Sequence, residues 1–159
     1  CACLVGSEMC IRDSYQAIAK TFLVSCDNAH ALHPNHAEKT DAVNFVTMNG
    51  GIVIKESANQ KYTTDAFSRA LFTGVCQNVN VPVQSFANRS DVVGGSTLGN
   101  LSNTQVSVHA VDFGLAQLAM HSCFETAGVK DTEYAIVALK EFYETNVQIE
   151  EAESVCLEK

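Results

Sequence analysis

The sequence of 159 residues lacks several features that would assign it to common classes of protein. It has no Trp, only two Pro and no basic cluster, because its ten Lys and Arg are spread among eighteen Asp and Glu. With a formal net charge of −8 and no basic cluster, the chain is not expected to attract nucleic acid or an anionic membrane. No run approaches the roughly 20 consecutive apolar residues of a membrane span. The 47% hydrophobic content instead predicts a soluble globular domain.

Residues 1–14 read C-A-C-L-V-G-S-E-M-C-I-R-D-S, which is an unusual start. Back-translation of residues 3–14 gives a string that resembles the transposase adapter used to prepare sequencing libraries. We therefore interpret residues 1–14 as a non-native, adapter-derived segment and exclude it from fold reasoning. A genuine strand-like segment is the alternative. We expect residues 15–159 to be the C-terminal part of a longer protein.

Cysteine usage indicates a reducing compartment. The seven Cys fall to four when residues 1–14, with Cys1, Cys3 and Cys10, are set aside. The remaining four form no C-x-x-C pair and are widely spaced; they are Cys26, Cys76, Cys123 and Cys156. Scattered single Cys without a recognisable secretion signal are typical of reduced, mostly buried thiols. We accordingly expect a cytoplasmic protein.

Short apolar runs alternate with helical patterns along the chain. Strands are predicted over residues 21–26, 52–55, 81–86 and 106–113. Helices are predicted after the cap Thr63-Thr64-Asp65, from the Gly94-Gly95-Ser96-Thr97 turn to about Asn103, and from about Asp131 to Glu144. This order predicts an α/β fold with a mainly parallel sheet covered by helices on both faces. Residues 114–121 are interpreted as a loop, and the Glu-rich end from Glu144 as a solvated helix face or frayed tail.

Polar residues just after a strand are candidate ligands, because ligands collect at the carboxyl ends of strands in α/β sheets. Asp27 holds such a position, and His30, His33 and His36 follow it in D-N-A-H-A-L-H-P-N-H. Pro34 argues against one continuous helical face of three His, so a zinc site built from them is weakly supported. The alternative is that Asp27 caps a turn and the His line a polar loop.

Other candidates also have two interpretations. His121 is either a packing residue or a ligand, and Tyr62 either packs at the entry of a helix or presents its phenol to a site. Lys55 ends an apolar strand, where its charge either snorkels to water or faces an anion. The turn at Gly94-Gly95 could present backbone N–H groups to an anion, but it lacks the P-loop and dinucleotide fingerprints. The alternative interpretation, an unrelated nucleotide-binding domain, is supported by that turn alone.

Four segments in order resemble the aspartyl aminopeptidase family of dinuclear zinc exopeptidases, and bacterial members most of all. They are F-L-V-S-C-D-N-A-H-A-L-H-P-N-H, G-G-I-V-I-K-E-S-A-N-Q-K-Y-T-T-D, P-V-Q-S-F-A-N-R-S-D-V-V-G-G-S-T-L-G-N and V-D-F-G-L-A-Q-L-A-M-H-S. The resemblance covers residues 15 to about 142. It implies a three-layer zinc exopeptidase-like fold, which we expect to be incomplete here.

The resemblance also implies roles for single residues. Asp27 would be a carboxylate ligand of one zinc and would contact substrate, and His121 would be an imidazole ligand of the other zinc. His30 and Tyr62 would hold substrate, and Lys55 would face the acidic side chain of an N-terminal Asp or Glu. Met120 and the turn at residues 94–96 would line the pocket.

The resemblance further implies that a complete enzyme needs residues that this sequence does not contain. The family supplies a His ligand, a bridging Asp and an adjacent Glu pair, one Glu being the general base, from an upstream part. We therefore expect a cytoplasmic, homo-oligomeric aminopeptidase with two Zn²⁺ per site, or Mn²⁺ or Co²⁺, acting on peptides. This chain is expected to be an inactive fragment of it without a catalytic residue of its own. The alternative is a non-catalytic structural or assembly module without metal.

Overall fold

The computed structural model describes residues 8–151 and 154–158. Within these ranges the helices are α1 (Glu8–Ala19), α2 (Ala66–Asn78), α3 (Leu98–Gln105) and α4 (Val129–Glu144). The strands are β1 (Phe22–Cys26), β2 (Ala29–His30), β3 (Ile52–Glu56), β4 (Val83–Ala87), β5 (His109–Gly114), β6 (Ala116–Leu118), β7 (Thr126–Ala127), β8 (Asn146–Glu151) and β9 (Ser154–Glu158). The predicted alternation of strands and helices is confirmed through α4.

The main sheet has the strand order β1-β5-β3-β4. The pairs β1–β5 and β3–β4 are parallel, whereas β3 and β5 are antiparallel. The prediction of a mainly parallel sheet is therefore confirmed, with one reversed junction that the sequence pattern did not indicate. A second, smaller sheet has the strand order β2-β6-β7. The strands β8 and β9 form a separate antiparallel pair.

Helices lie on both faces of the main sheet. Successive side chains of each strand point to opposite sides, so both faces carry side chains that must be packed. On one face, the buried side chains of α2 and α4 pack against Ile52, Ile54, Val111 and Phe113 in one cluster. The opposite face carries Val53 and Phe86, which pack with residues of the smaller sheet. The helix α3 also lies on that second face, since the Gly99 N–H donates to Ser25 Oγ of β1 at 3.1 Å. These three layers confirm the predicted architecture.

The start of α2 shows how local sequence fixes an element. The Asp65 side chain accepts a hydrogen bond from the Ser68 N–H at 2.7 Å, and Ser68 Oγ accepts one from the Asp65 N–H at 3.0 Å. This reciprocal capping box satisfies backbone donors that no helical carbonyl can reach. The cap predicted at residues 63–65 is confirmed, and Asp65 is its N-cap residue.

Two predictions about elements are wrong. Residues 114–121 were interpreted as a loop, but residues 116–118 form β6, which pairs in parallel with β2. The Glu-rich end was interpreted as a helix face or frayed tail, but it forms the hairpin β8–β9. In both cases the strand is stabilised by pairing that a single segment does not reveal. The origin of residues 1–14 stays a prediction; residues 1–7 lie outside the described ranges, and α1 runs through residues 14 and 15.

The four cysteines outside residues 1–14 are free thiols, as predicted, but the prediction that most are buried is wrong. Only Cys76, on α2, is buried, whereas Cys26, Cys123 and Cys156 are exposed. Burial raises the pKa of the Cys76 thiol to about 12, so this thiol is inert at neutral pH. Cys1 and Cys3 lie outside the described residues. No helix among the described residues is long and apolar enough to cross a membrane.

Candidate metal and substrate site

Asp27 stands at the carboxyl end of β1, where the sheet fixes its backbone. The strand pairs in parallel with β5, with Cys26 opposite Phe113, and the Asp27 N–H donates to the Phe113 carbonyl at 2.9 Å. The side chain is 53% exposed. A rigid backbone with an accessible carboxylate is the arrangement that a ligand position requires.

Lys55, near the end of β3, is the immediate partner of Asp27. Its Nζ donates to Asp27 Oδ2 at 2.7 Å and to the Asn28 carbonyl at 3.3 Å. The lysine side chain is 2% exposed, and Nζ lies 4.8 Å from the centroid of the Tyr62 ring. The buried ammonium is therefore satisfied by a carboxylate, a carbonyl and an aromatic face. Sequence reasoning expected it to face a substrate carboxylate; in the protein alone it faces Asp27.

Tyr62 closes the other side of the Lys55 ammonium. Its ring is buried, and its hydroxyl accepts a hydrogen bond from Asn88 Nδ2 at 3.2 Å. Burial raises the pKa of the Tyr62 phenol, the hydrogen bond from Asn88 lowers it, and the negative charges of Asp27 and Asp112 raise it further. The phenol is therefore neutral at physiological pH and able to donate a hydrogen bond.

His121 lies in the loop after β6, in a left-handed backbone conformation. Its φ is 67°, and that of Ala119 is 56°, values that few residues other than glycine adopt. The His121 N–H donates to Glu125 Oε1 at 2.6 Å, which ties this loop together. His121, Glu125, Met120 and Asp27 all line one cavity of about 320 Å³. The structure therefore brings the two predicted metal ligands, Asp27 and His121, to the same cavity, and Met120 lines it as expected.

His30 is the last residue of β2 and lines a neighbouring cavity of about 310 Å³. His33 and His36 line the same cavity, with their rings 5.2 Å apart. His36 Nδ1 is paired with Glu38 at 3.1 Å. The three His therefore share a cavity, but no group of three or more His, Cys, Asp or Glu in metal-binding range occurs among the described residues.

Two amide side chains that sequence reasoning missed connect these parts. Gln117, on β6, lines both cavities, and its Oε1 accepts a hydrogen bond from Asn28 Nδ2 at 2.6 Å. Asn28 Oδ1 in turn accepts from the Leu115 N–H at 3.0 Å. The apolar alternation around Gln117 was a strand signal, and interpreting residues 114–121 as a loop concealed it. The turn at residues 94–96 does not line either cavity.

The donor set suits part of a zinc centre. One carboxylate and one imidazole are among the ligands that Zn²⁺ accepts, and Glu125 adds a second carboxylate to the cavity wall. A stable zinc centre requires three or four protein ligands. Asp27 and His121 are therefore candidate ligands of the types that zinc accepts, and the described residues hold no group of three or more.

The protein is thus a layered α/β domain with an acidic, histidine-containing cavity at a strand end. The family model "Aminopeptidase I zinc metalloprotease (M18)" matches residues 5–143. The chain therefore belongs to this family.

Individual relatives agree with this assignment. The chain is 47% identical over 131 residues to "Probable M18 family aminopeptidase 2" of Clostridium novyi (strain NT), a match that covers 82% of this chain and 30% of the relative. A chain in the structure of the Ape4 and Nbr1 complex superposes with a TM-score of 0.78 at 42% identity, over 80% of this chain and 24% of that one. The mApe1 dodecamer of yeast gives a TM-score of 0.68 at 27% identity, over 77% and 26%. This chain thus spans about 30% of the curated relatives that it matches.

Proposed function

We propose that this chain is part of a zinc-dependent aminopeptidase that removes N-terminal residues, acidic ones in particular, from peptides. Asp27 and His121 are proposed as zinc ligands. The observation that carries this proposal is that both side chains line one cavity, although 94 positions separate them in sequence (121 − 27). Glu125, on the same cavity wall, orients the His121 backbone.

The proposed substrate contacts come from the surroundings of Asp27. His30 would contact the peptide from the neighbouring cavity, and Tyr62 would donate its phenolic proton to a substrate acceptor. Lys55 would attract the acidic side chain of the first residue, because its buried ammonium is the cation closest to Asp27. A bound pair of zinc ions would polarise the scissile carbonyl and lower the pKa of a water nucleophile. We propose no general base within this chain.

We further propose that the chain alone is inactive and that the whole protein is a cytoplasmic homo-oligomer. Inactivity is supported by the incomplete ligand set and by the 30% coverage of the relatives. Oligomerisation is supported by the similarity of this chain to the yeast mApe1 dodecamer. Mn²⁺ or Co²⁺ could replace Zn²⁺, because the same carboxylate and imidazole ligands accept them.

Zinc titration by calorimetry tests the ligand assignment. We expect weak binding by the chain, lost in Asp27→Ala and in His121→Ala, because each variant removes one of two ligands. His33→Ala is the matched control, since His33 lines only the neighbouring cavity. Equal loss of zinc binding in the control, or retention of zinc binding in both ligand variants, would contradict the assignment.

An activity assay tests the proposed inactivity. The purified chain with Zn²⁺ is expected to release no chromophore from a substrate with an N-terminal Asp or Glu. Turnover that Asp27→Ala abolishes would show that the chain is active by itself.

A further inference from the structure

Asp112 is a buried carboxylate in the middle of β5 that the proposed mechanism does not use. Its side chain has no solvent exposure, and Oδ2 accepts hydrogen bonds from the Thr63 N–H at 2.6 Å and from Thr63 Oγ1 at 2.8 Å. The Asp112 backbone is also linked to the Thr64 side chain, since the Asp112 N–H donates to Thr64 Oγ1 at 2.9 Å. Asp112 thus holds the segment that directly follows Tyr62.

The second oxygen of this carboxylate has no partner. Asp112 Oδ1 makes no hydrogen bond with any described residue. Gly99 packs close to it, since a Cβ atom at Gly99 would lie 3.0 Å from Asp112 Oδ1. Burying a carboxylate with one unsatisfied oxygen costs free energy that an apolar residue would not cost. Packing alone therefore does not account for an acid at this position.

Asp112 projects from the same face of the sheet as Lys55. Ile54 pairs with Phe113 in the antiparallel β3–β5 register, and both side chains belong to the cluster under α2. The side chains that alternate with them, those of Lys55 and Asp112, therefore point to the other face. Tyr62 lies there too, with its ring against Lys55 Nζ.

We propose that Asp112 is a positioning residue for the substrate site. By its two hydrogen bonds to Thr63 it fixes the ring of Tyr62 against Lys55, and the ring in turn keeps the Lys55 ammonium on Asp27. The contacts stand on their own; their relevance to substrate rests on the function proposed above. The positioning itself can be tested in the chain without any metal.

The test is an NMR measurement of the Lys55 side chain. Its ε-methylene protons lie near the Tyr62 ring and are expected to show an upfield ring-current displacement. Lys55→Arg identifies the signal, and Tyr62→Leu gives its position without the ring. We expect Asp112→Leu, which removes both acceptor oxygens, to move the signal to the position seen in Tyr62→Leu. Asp112→Asn should restore most of the displacement, because its amide oxygen can accept the same two hydrogen bonds.

The matched control is Asp131→Leu. Asp131 is also fully buried and also accepts two hydrogen bonds, from the N–H groups of Asn49 and Gly51 at 2.6 and 2.9 Å, but it belongs to α4 on the other face. Its loss should lower stability and leave the Lys55 signal in place. A folded Asp112→Leu variant that keeps the wild-type Lys55 signal would overturn the proposal. So would an Asp131→Leu variant that loses the ring-current displacement to the same extent as Asp112→Leu.

A second variant covers the case in which Asp112→Leu does not fold. Thr63→Val removes only the hydroxyl donor and keeps the shape of the side chain, so it should shift the Lys55 signal part of the way. An unchanged signal in Thr63→Val would then overturn the proposal. Retention of zinc binding in both Asp27→Ala and His121→Ala would contradict the proposed ligands, and it would leave this result unaffected.

Discussion

Asp27 combines two roles at the scale of a single residue. Its carboxylate neutralises the buried Lys55 ammonium, and its exposed side faces the cavity that it shares with His121. A buried cation needs a partner at all times, because an unpaired charge in the protein interior is costly. Substitutions at Asp27 will therefore change stability as well as the metal binding proposed for this residue.

Asp27→Asn is expected to lower the free energy of unfolding by about 1–2 kcal/mol, because it leaves the Lys55 ammonium without its carboxylate. The cost stays below that of a fully buried pair since Asp27 is 53% exposed and water compensates in part. Urea unfolding followed by circular dichroism measures it.

A double-mutant cycle provides the control. In a Lys55→Met background, which keeps the apolar stem and removes the charge, Asp27→Asn should cost close to nothing. An equal cost in both backgrounds would show that the ion pair is not the cause.

Single residues differ in how far the sequence reveals them. Asp27 and His121 were identified through the motifs that contain them, and the structure places them on one cavity. The pairing of Asp27 with Lys55 was not predicted, because it depends on β3 pairing with β5, which in turn pairs with β1. Asp112 was missed since it stands within an apolar strand run and no local pattern marks it.

Elements were predictable where the signal is local. The cap at residues 63–65 and the helical spacing after it predicted α2, and the β-branched run over residues 52–55 predicted β3. Both failures concern strands stabilised by pairing: β6 lies on β2, far away in sequence, and β8 lies on β9, where glutamates obscure the alternation of apolar residues. The reversed direction of β3 relative to β5 was equally invisible, since it depends on the path of the connections.

Asp65→Ala tests the capping box at the scale of one helix. It removes the side chain that accepts from the Ser68 N–H, so the free energy of unfolding should fall by about 1 kcal/mol. Thermal and urea denaturation measure this change.

Thr97→Ala at the start of α3 is the control for the cap. The Thr97 hydroxyl caps no backbone group and has no hydrogen-bond partner among the described residues, so its removal should change stability little. A loss at Thr97 as large as that at Asp65 would contradict the assignment of the capping energy.

At the scale of the whole molecule, the main sheet ends at β1, an apolar strand with no second strand partner among the described residues. Among the described strands, β1 pairs only with β5, so its other side carries backbone groups without a strand partner. Such an edge can pair with a second copy. We expect the isolated chain to associate as its concentration rises, and Leu23→Lys in β1 to suppress this by placing a charge on the edge. Analytical ultracentrifugation measures the association.

The variant Val93→Lys distinguishes association through the β1 edge from association through other exposed apolar surface. Val93 is 90% exposed and lies outside the strands, so the same change there lowers apolar surface without altering the edge. Equal suppression by both variants would attribute association to apolar patches and not to β1.

The reversed junction between β5 and β3 has a consequence for the order in which the site is assembled. Lys55 reaches Asp27 from within the sheet, so the charge environment of that carboxylate is preorganised as soon as the core strands pair. His121 instead depends on a loop held by Glu125 and by left-handed backbone at two positions. Local opening of that loop would displace one of the two proposed ligands and leave the other in place. The two sides of the cavity therefore have different structural support, paired strands for the carboxylate and a single loop for the imidazole.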